Sequence, residues 1–185
     1  MNRKPTAASP ERKTAKHSAA RQITAHARQH FFTHGFRSVT MDDLADELGM
    51  SKKTLYANFP SKAALLKAVI ADKLGSVDTA IAEAYGTSED FPARLSAMLA
   101  CIRAQAGELQ PAFIRDLRRE GPEFFSLVQE GRRGIIQRHF GKLLRDGQRA
   151  GAIRGDIPAE VMIETLVGAV DAVVTPARQI GRAHV

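Results

Sequence analysis

The sequence has very little of what extracellular and membrane proteins need. It contains one cysteine, Cys101, so no internal disulfide can form, and such a chain fits a reducing cytoplasm. No apolar run approaches the roughly 20 residues that a membrane span requires. The basic N-terminal residues are not followed by the apolar segment of a secretory signal. We therefore expect a cytoplasmic protein with no membrane insertion.

The sequence also lacks the residue patterns of common catalytic sites. It has no Gly-x-Ser-x-Gly elbow and no phosphate-binding glycine loop, so we expect neither enzyme activity nor a cofactor. His26, His30 and His34 recur four residues apart, and two histidines at that spacing can in principle bind zinc. No Cys, Asp or Glu stands nearby in the sequence to complete a site. The sequence therefore favours a solvated or partly packed histidine face, and we expect no metal.

The positive charge is concentrated at the start of the chain. The formal net charge is +7, and residues 1–62 carry eleven Lys and Arg against five Asp and Glu. The remaining residues carry sixteen against fifteen, which is close to neutral. A localised positive field attracts a polyanion, of which nucleic acid is a common example, although a solubilising basic tail would have the same composition.

Start and stop signals predict an all-α chain. We expect a disordered basic arm over residues 1–16 and a first helix over 18–34, ended by Gly35. Thr40 and Asp43 have the spacing of a capping box and predict a second helix over 41–48. Ser51 predicts the start of a third helix, which Pro60 ends, and Ser61 predicts the start of a fourth.

The third helix has the pattern of a DNA-reading helix. Leu55 and Phe59 lie four residues apart and would face inward, which leaves a polar outer face. That face carries Lys52, Lys53, Thr54, Tyr56, Ala57 and Asn58. Lys can bond guanine and Asn adenine in a major groove, and the two helices joined by a short turn with Gly49 match a helix-turn-helix. An ordinary amphipathic helix with a solvated face is the alternative.

Residues 23–70 resemble the TetR family of transcriptional regulators. The resemblance rests on the Phe-x-x-x-Gly-Phe end of the first helix, the Thr cap, the Ala-x-x-x-Gly-x-Ser turn and the Leu-Tyr-x-x-Phe-x-x-Lys closure. It implies an N-terminal helix-turn-helix domain over 17–78, joined by a long helix to a ligand-binding and dimerisation domain over 79–179. It also implies phosphate contacts from Thr40, Ser51, Tyr56 and Lys62. Base or neighbouring phosphate contacts are implied for Lys52, Lys53, Thr54 and Asn58.

The second half of the chain carries no motif of comparable specificity. Pro92, Pro111, Pro122 and Pro158 predict helix starts. Met98, Cys101, Phe113, Leu117 and Phe124 are candidates for a ligand pocket, although for each of them plain core packing is the favoured explanation. The last six residues, IGRAHV, are what the string ATCGGAAGAGCACACGTC would encode, which looks like a sequencing adapter. We expect 180–185 to be a non-native tail and the domain before it to be truncated.

Three functions fit these observations. We favour a homodimeric repressor that binds a palindromic DNA operator and is released by an unknown small-molecule effector. A non-specific or architectural DNA-binding protein, using the basic arm and the basic residues Arg138, Lys142, Arg145 and Arg149, is the alternative. A helical enzyme or carrier is disfavoured because no catalytic constellation is present.

Overall fold

The computed structural model describes residues 10–87, 89–108, 110–119 and 122–174. Within these ranges the chain forms helices and no strands, so the all-α prediction is confirmed. The helices are α1 (Pro10–His34), α2 (Met41–Glu47), α3 (Lys52–Asn58), α4 (Lys62–Gly86), α5 (Phe91–Gly107), α6 (Pro111–Arg119), α7 (Pro122–Arg149) and α8 (Ala159–Val174). No helix of this described part is long and apolar enough to cross a membrane.

The first helix is longer than the sequence predicted. It begins at Pro10, so residues 10–16, which we expected in a disordered arm, belong to α1. Proline fits the first position of a helix because its missing N–H would have no helical partner there. Residues 1–9 of the predicted arm and residues 175–185, which include the suspected tail, lie outside the described residues.

The chain divides into two compact units, and neither is continuous in sequence. The first unit contains Met1–Lys73 and Gly107–Phe125, and the second contains Leu74–Ala106 and Ser126–Val185. This division differs from the sequential domains 17–78 and 79–179. The difference arises because α6 packs against α1, where the rings of Phe113 and Phe32 lie 4.8 Å apart.

The first unit is built around the apolar faces of α1, α2, α3 and the start of α4. Ile23, Ala27 and Phe31 recur four residues apart on α1 and are fully buried. The other helices contribute the fully buried side chains of Leu44, Ala45, Leu55, Leu65, Leu66 and Val69. Burying a side chain of this size stabilises a fold by about 1.5–3 kcal/mol, so this core fixes the positions of the short helices α2 and α3.

The second unit packs parts of α4, α5 and α7 with α8. Its core contains Ile81, Met98, Ile135, Ile136, Phe140, Leu143, Ala159, Ile163 and Val167. Two glycines of α7 lie at close helix contacts. A Cβ atom at Gly131 would lie 2.4 Å from Leu74 Cδ1, and one at Gly147 would lie 2.6 Å from Phe91 Cδ2. Glycine at these positions lets the neighbouring side chains reach the α7 backbone.

Candidate nucleic-acid interface

Caps hold both helices of the helix-turn-helix. The Thr40 hydroxyl accepts a hydrogen bond from the Asp43 N–H, and the Asp43 carboxylate accepts one from the Thr40 N–H, each at 3.0 Å. The side-chain bond to Thr40, followed by the backbone bond, lowers the pKa of Asp43 below its ordinary 3.8. Gly49 adopts a φ of 61° in the turn, and Ser51 Oγ accepts the Thr54 N–H at 3.1 Å. The predicted capping box and turn are both present.

The third helix has one buried anchor and a broad exposed face. Leu55 is fully buried, whereas Phe59, the second predicted anchor, is half-buried at the end of the helix. The predicted DNA-contacting residues Lys52, Lys53, Thr54 and Tyr56 are exposed, and Asn58 is half-buried. The structure therefore places the predicted contacts of α3 on one accessible side of the first unit.

Several of these side chains have partners within the protein. Lys52 Nζ lies 2.6 Å from Asp42 Oδ2, and this hydrogen bond raises the pKa of Lys52. The hydroxyls of Ser51 and Thr54 lie 2.8 Å apart. Asn58 donates its amide N–H to the Thr54 carbonyl at 2.8 Å, so base contact by Asn58 requires its side chain to turn outward. No carboxylate pairs with Lys53 among the residues that the structure describes.

A cleft beside α3 brings three predicted phosphate contacts together. It has a volume of about 460 Å³ and is lined by Thr40, Met41, Asp42, Tyr56, Pro60, Ser61 and Lys62. The cleft lies at the start of α4, where Ser61 Oγ accepts the Ala64 N–H at 3.0 Å. Helix N-termini and a lysine together favour a bound anion. Ser51, the fourth predicted phosphate contact, lies outside this cleft at the start of α3.

Contacts to the loop between α1 and α2 help to hold Lys62 in place. Its Nζ atom lies 3.4 Å from the Arg37 carbonyl oxygen, which accepts its hydrogen bond, and 4.3 Å from the centre of the Phe36 ring. These contacts direct the ammonium group along the loop between α1 and α2. An anion in the cleft would meet a preoriented positive charge, which costs less side-chain entropy than capturing a mobile lysine.

The five candidates for a ligand pocket are divided between the two units. Met98 is fully buried in the core of the second unit, and the half-buried Cys101 packs against that core. The other three belong to the first unit, where they are buried: Phe113, Leu117 and Phe124. Core packing within each unit accounts for all five. A pocket around Met98 and Cys101 stays a prediction.

Sequence reasoning missed two residues that shape this interface. Asp42 was not considered as the partner of Lys52, although an acidic residue in the first turn of α2 stands ten positions before that lysine. Asp116 of α6 was not considered either, and its carboxylate accepts the Arg37 N–H in the loop before α2. The first could have been suspected from charge, whereas the second depends on packing between distant segments.

Comparison with known proteins shows which family the helix-turn-helix region resembles. The profile of the family described as "Bacterial regulatory proteins, tetR family" matches residues 23–69, which contain all eight predicted DNA contacts. Residues 23–69 are therefore similar to the tetR family of bacterial regulatory proteins. The matched family consists of bacterial regulatory proteins.

A curated relative is similar over a longer stretch of sequence than the family profile. The HTH-type transcriptional activator FasR of Mycolicibacterium smegmatis is 33% identical over 76 residues, which cover 41% of this chain and 35% of that protein. The chain thus matches about a third of the length of this curated relative.

Solved structures share the fold over most of the chain. A TetR/AcrR regulator from Thermobifida fusca has a TM-score of 0.62 and 21% identity, covering 89% of this chain and 88% of the other. A tetR-family regulatory protein from Rhodococcus RHA1 has a TM-score of 0.57 and 26% identity, covering 84% and 83%.

Proposed function

We propose that this protein is a dimeric TetR-family repressor that binds a palindromic operator and is released by a small-molecule effector. The observation that carries the proposal is the exposed face of α3. The buried Leu55 anchors this helix to the core, and Lys53 and Thr54 are exposed to solvent on its other side. A helix fixed in this way can enter a major groove without rearranging the core below it.

Phosphate contacts would set the register of α3 on the duplex. Thr40, Tyr56 and Lys62 line the cleft beside α3, and Ser61 begins α4 there. Contacts to phosphate fix orientation, whereas contacts to base edges supply sequence information. We assign the first role to the cleft and the second to Lys53, with Lys52 contributing after it exchanges Asp42 for DNA.

A homodimer fits recognition of a palindrome because two symmetry-related helices read two half-sites. Their separation must be about 34–36 Å to enter successive major grooves on one side of the duplex. In the described chain, α4 begins at Lys62 in the first unit, and its residues from Leu74 onward belong to the second. An effector bound in the second unit, near Met98 and Cys101, could therefore act on DNA affinity through α4.

The architectural alternative is less well supported by the basic residues of α7. Arg138 lies 2.9 Å from Asp78 Oδ1, and Lys142 lies 2.7 Å from Asp146 Oδ2. Arg149 also pairs with Asp146. Cations that already have carboxylate partners offer less net charge to a DNA backbone, which favours α3 as the binding surface.

The choice between repression and activation rests on a separate experiment. FasR, which is similar over 76 residues, is named as an activator. We place the chain among repressors because an effector-released DNA-binding protein that occupies an operator blocks transcription without further contacts. A reporter gene downstream of the operator should be silenced by the protein, and increased expression would identify an activator.

We propose the cytoplasm as the location of the protein.

Competition binding tests the operator proposal. Fragments selected from genomic DNA by the protein would first define a site, and binding to that site would then be compared with a shuffled sequence at the same salt concentration. We expect a preference of about 10³ or more for a specific regulator. Equal affinity for both sequences, with the same steep salt dependence, would instead support the architectural alternative.

A further inference from the structure

Two histidines of α1 meet the last residue of α2 on the first unit. His26 Nε2 and His30 Nε2 each lie 2.8 Å from the same carboxylate oxygen, Oε2 of Glu47. The two imidazole ring centres are 4.4 Å apart. The potential ligand atoms of the three residues all lie within 4.8 Å of one another. Three groups that commonly bind transition metals are thus gathered in one place.

The fold gathers these groups because the two helices share a core. His26 and His30 stand one turn apart on α1, on either side of the buried Ala27. On α2, the buried Leu44 and Ala45 precede Glu47. Sequence inspection found no acidic partner because Glu47 lies 17 positions after His30, and only the packing of α2 brings it near.

Hydrogen bonding alone could explain the contacts, since each imidazole N–H can donate to the carboxylate. That arrangement places two ring nitrogens on one oxygen atom and leaves the ligand atoms converging on a common point. The side chains are accessible without being fully solvated, with exposed fractions of 24% for His26, 21% for His30 and 45% for Glu47. A cation could enter from the Glu47 side. The three side chains would lose little conformational freedom on binding it, because they are already partly ordered by their mutual contacts.

We propose that His26, His30 and Glu47 bind a divalent transition-metal ion of the Zn²⁺ class. Two imidazole nitrogens and one carboxylate oxygen are a ligand set that zinc accepts, and a water molecule completes the tetrahedron. Metal binding replaces the two hydrogen bonds to Oε2 with bonds from the neutral Nε2 atoms. Each ring then keeps its proton on Nδ1, and any proton displaced from Nε2 passes to solvent.

The required rearrangement is confined to the three side chains. Ligands about 2.0–2.1 Å from a tetrahedral zinc ion are about 3.3 Å apart, compared with the 2.8 Å that now separates each Nε2 atom from Oε2. The Glu47 side chain therefore has to withdraw by about half an ångström, and the two histidine ligand nitrogens, which lie within 4.8 Å of each other, have to approach to about 3.3 Å. The imidazole ligands favour Zn²⁺, Co²⁺, Ni²⁺ or Cu²⁺, whereas Mg²⁺ and Ca²⁺ prefer sites made of oxygen.

His34 provides a matched control on the same helix. Its ring centre lies 5.8 Å from that of His30, and it does not belong to the converging group. Histidines at the first and third positions of an i, i+4, i+8 series are about 12 Å apart along a helix, so one ion cannot bind all three. The geometry therefore assigns His26 and His30, and not His34, to the site.

A bound ion would connect α1 to the end of α2, immediately before the turn that leads to α3. This site rests only on contacts within the first unit and does not depend on the proposed repressor function. It would stabilise the folded first unit by mass action, because the unfolded chain does not hold these three ligands together.

Zn²⁺ titration of the tag-free 185-residue chain, after treatment with a chelator, tests the site. Isothermal calorimetry should detect one site per chain that involves the named ligands. Visible absorption of added Co²⁺ should report coordination by protein groups. His26→Gln, His30→Gln and Glu47→Gln should each weaken Zn²⁺ binding at least about tenfold, because each removes a direct ligand.

Two variants control for the loss of a similar side chain nearby. His34→Gln removes a histidine from the same helix, and Asp46→Asn removes the acid next to Glu47. Both should change Zn²⁺ affinity by less than about twofold. Circular dichroism establishes that each variant is folded, and Zn²⁺ should raise the melting temperature of the wild type but not of the His30→Gln variant. Absence of saturable binding, or equal loss in His34→Gln and His30→Gln, would overturn the proposal.

Discussion

Asp116 of α6 accepts a hydrogen bond from the Arg37 N–H, with 3.0 Å between Oδ2 and the nitrogen. Asp116 is only 5% exposed, and its second oxygen lies 3.8 Å from Nε of Arg115. The contact joins a helix from the middle of the chain to the loop that precedes the helix-turn-helix. The same Oδ2 atom lies 2.7 Å from where a Cβ atom at Gly35 would stand. The loop and α6 therefore fit each other closely.

Removing this carboxylate should destabilise the first unit. We expect Asp116→Ala to lower the free energy of unfolding by about 1–3 kcal/mol, because the loop N–H loses its acceptor. Urea denaturation followed by circular dichroism measures the change. Asp116→Asn keeps an acceptor oxygen and should cost less. A pair of variants with identical stability would show that the hydrogen bond to Arg37 contributes nothing.

Gly35 and Gly49 form a matched pair for testing the close approach of Asp116. Both have positive φ, 88° and 61°, but a Cβ atom at Gly49 would meet no atom within 4 Å. Gly49→Ala should therefore cost only the left-handed backbone penalty, about 1–2 kcal/mol. Gly35→Ala should cost at least about 1 kcal/mol more because it also displaces Asp116. Denaturant midpoints measure both, and equal losses would argue against the steric contribution.

The helices could be predicted because their ends are encoded locally. Thr40 with Asp43 begins α2, Gly35 ends α1 with a positive φ, and Pro60 follows the end of α3. Each of these signals acts on the residues beside it. Capping and steric restriction need no knowledge of the rest of the chain.

Contacts between distant segments could not be predicted in the same way. The Asp116 contact to Arg37 spans 79 positions, and the meeting of Glu47 with His26 and His30 depends on how α2 packs on α1. A rotation of either helix about its axis by one residue step, about 100°, would separate these groups. Their pairing follows from how the helices pack around the core. The periodicity of the sequence predicts only which side of a single helix is buried.

Acid should weaken the second unit through Asp146. Lys142 and then the Tyr85 hydroxyl bond its carboxylate and lower its pKa from 3.8 to about 2. A pKa that is lower in the folded state stabilises the protein above about pH 4, and this contribution is lost as the pH falls towards 2. It amounts to at most roughly 2.5 kcal/mol, and to less after solvent screening of a side chain that is 22% exposed.

Asp146→Asn should therefore be less stable than the wild type at about pH 5, and the gap should narrow at about pH 3. Urea denaturation at the two pH values measures this change. Glu83→Gln removes an exposed acid from the same unit and serves as the control. If the gap between Asp146→Asn and the wild type were constant with pH, the ion pair with Lys142 would not be the cause.

Alanine should have opposite effects at two glycines of the second unit. Gly147→Ala places a Cβ atom 2.6 Å from Phe91 Cδ2 and 2.9 Å from Cε2, so it should cost about 1–3 kcal/mol. Gly168 of α8 meets no atom within 4 Å, and Gly168→Ala should gain about 0.5–1 kcal/mol through higher helix propensity. Thermal unfolding of the two variants checks the signs. Stabilisation by both would mean that Phe91 moves aside without cost.

Lys53 and Lys62 should affect DNA binding in different ways. Lys53 is exposed on α3, so Lys53→Ala should cost about 1–3 kcal/mol of operator affinity and relax selectivity at one base pair in each half-site. Lys62 lines the cleft at the start of α4, so Lys62→Ala should weaken operator and shuffled DNA alike. It should also reduce the slope of log affinity against log salt by about one. Fluorescence anisotropy with both duplexes at several salt concentrations measures these quantities. Since only a base contact can alter the preference between duplexes, equal loss of selectivity in both variants would contradict the assignment.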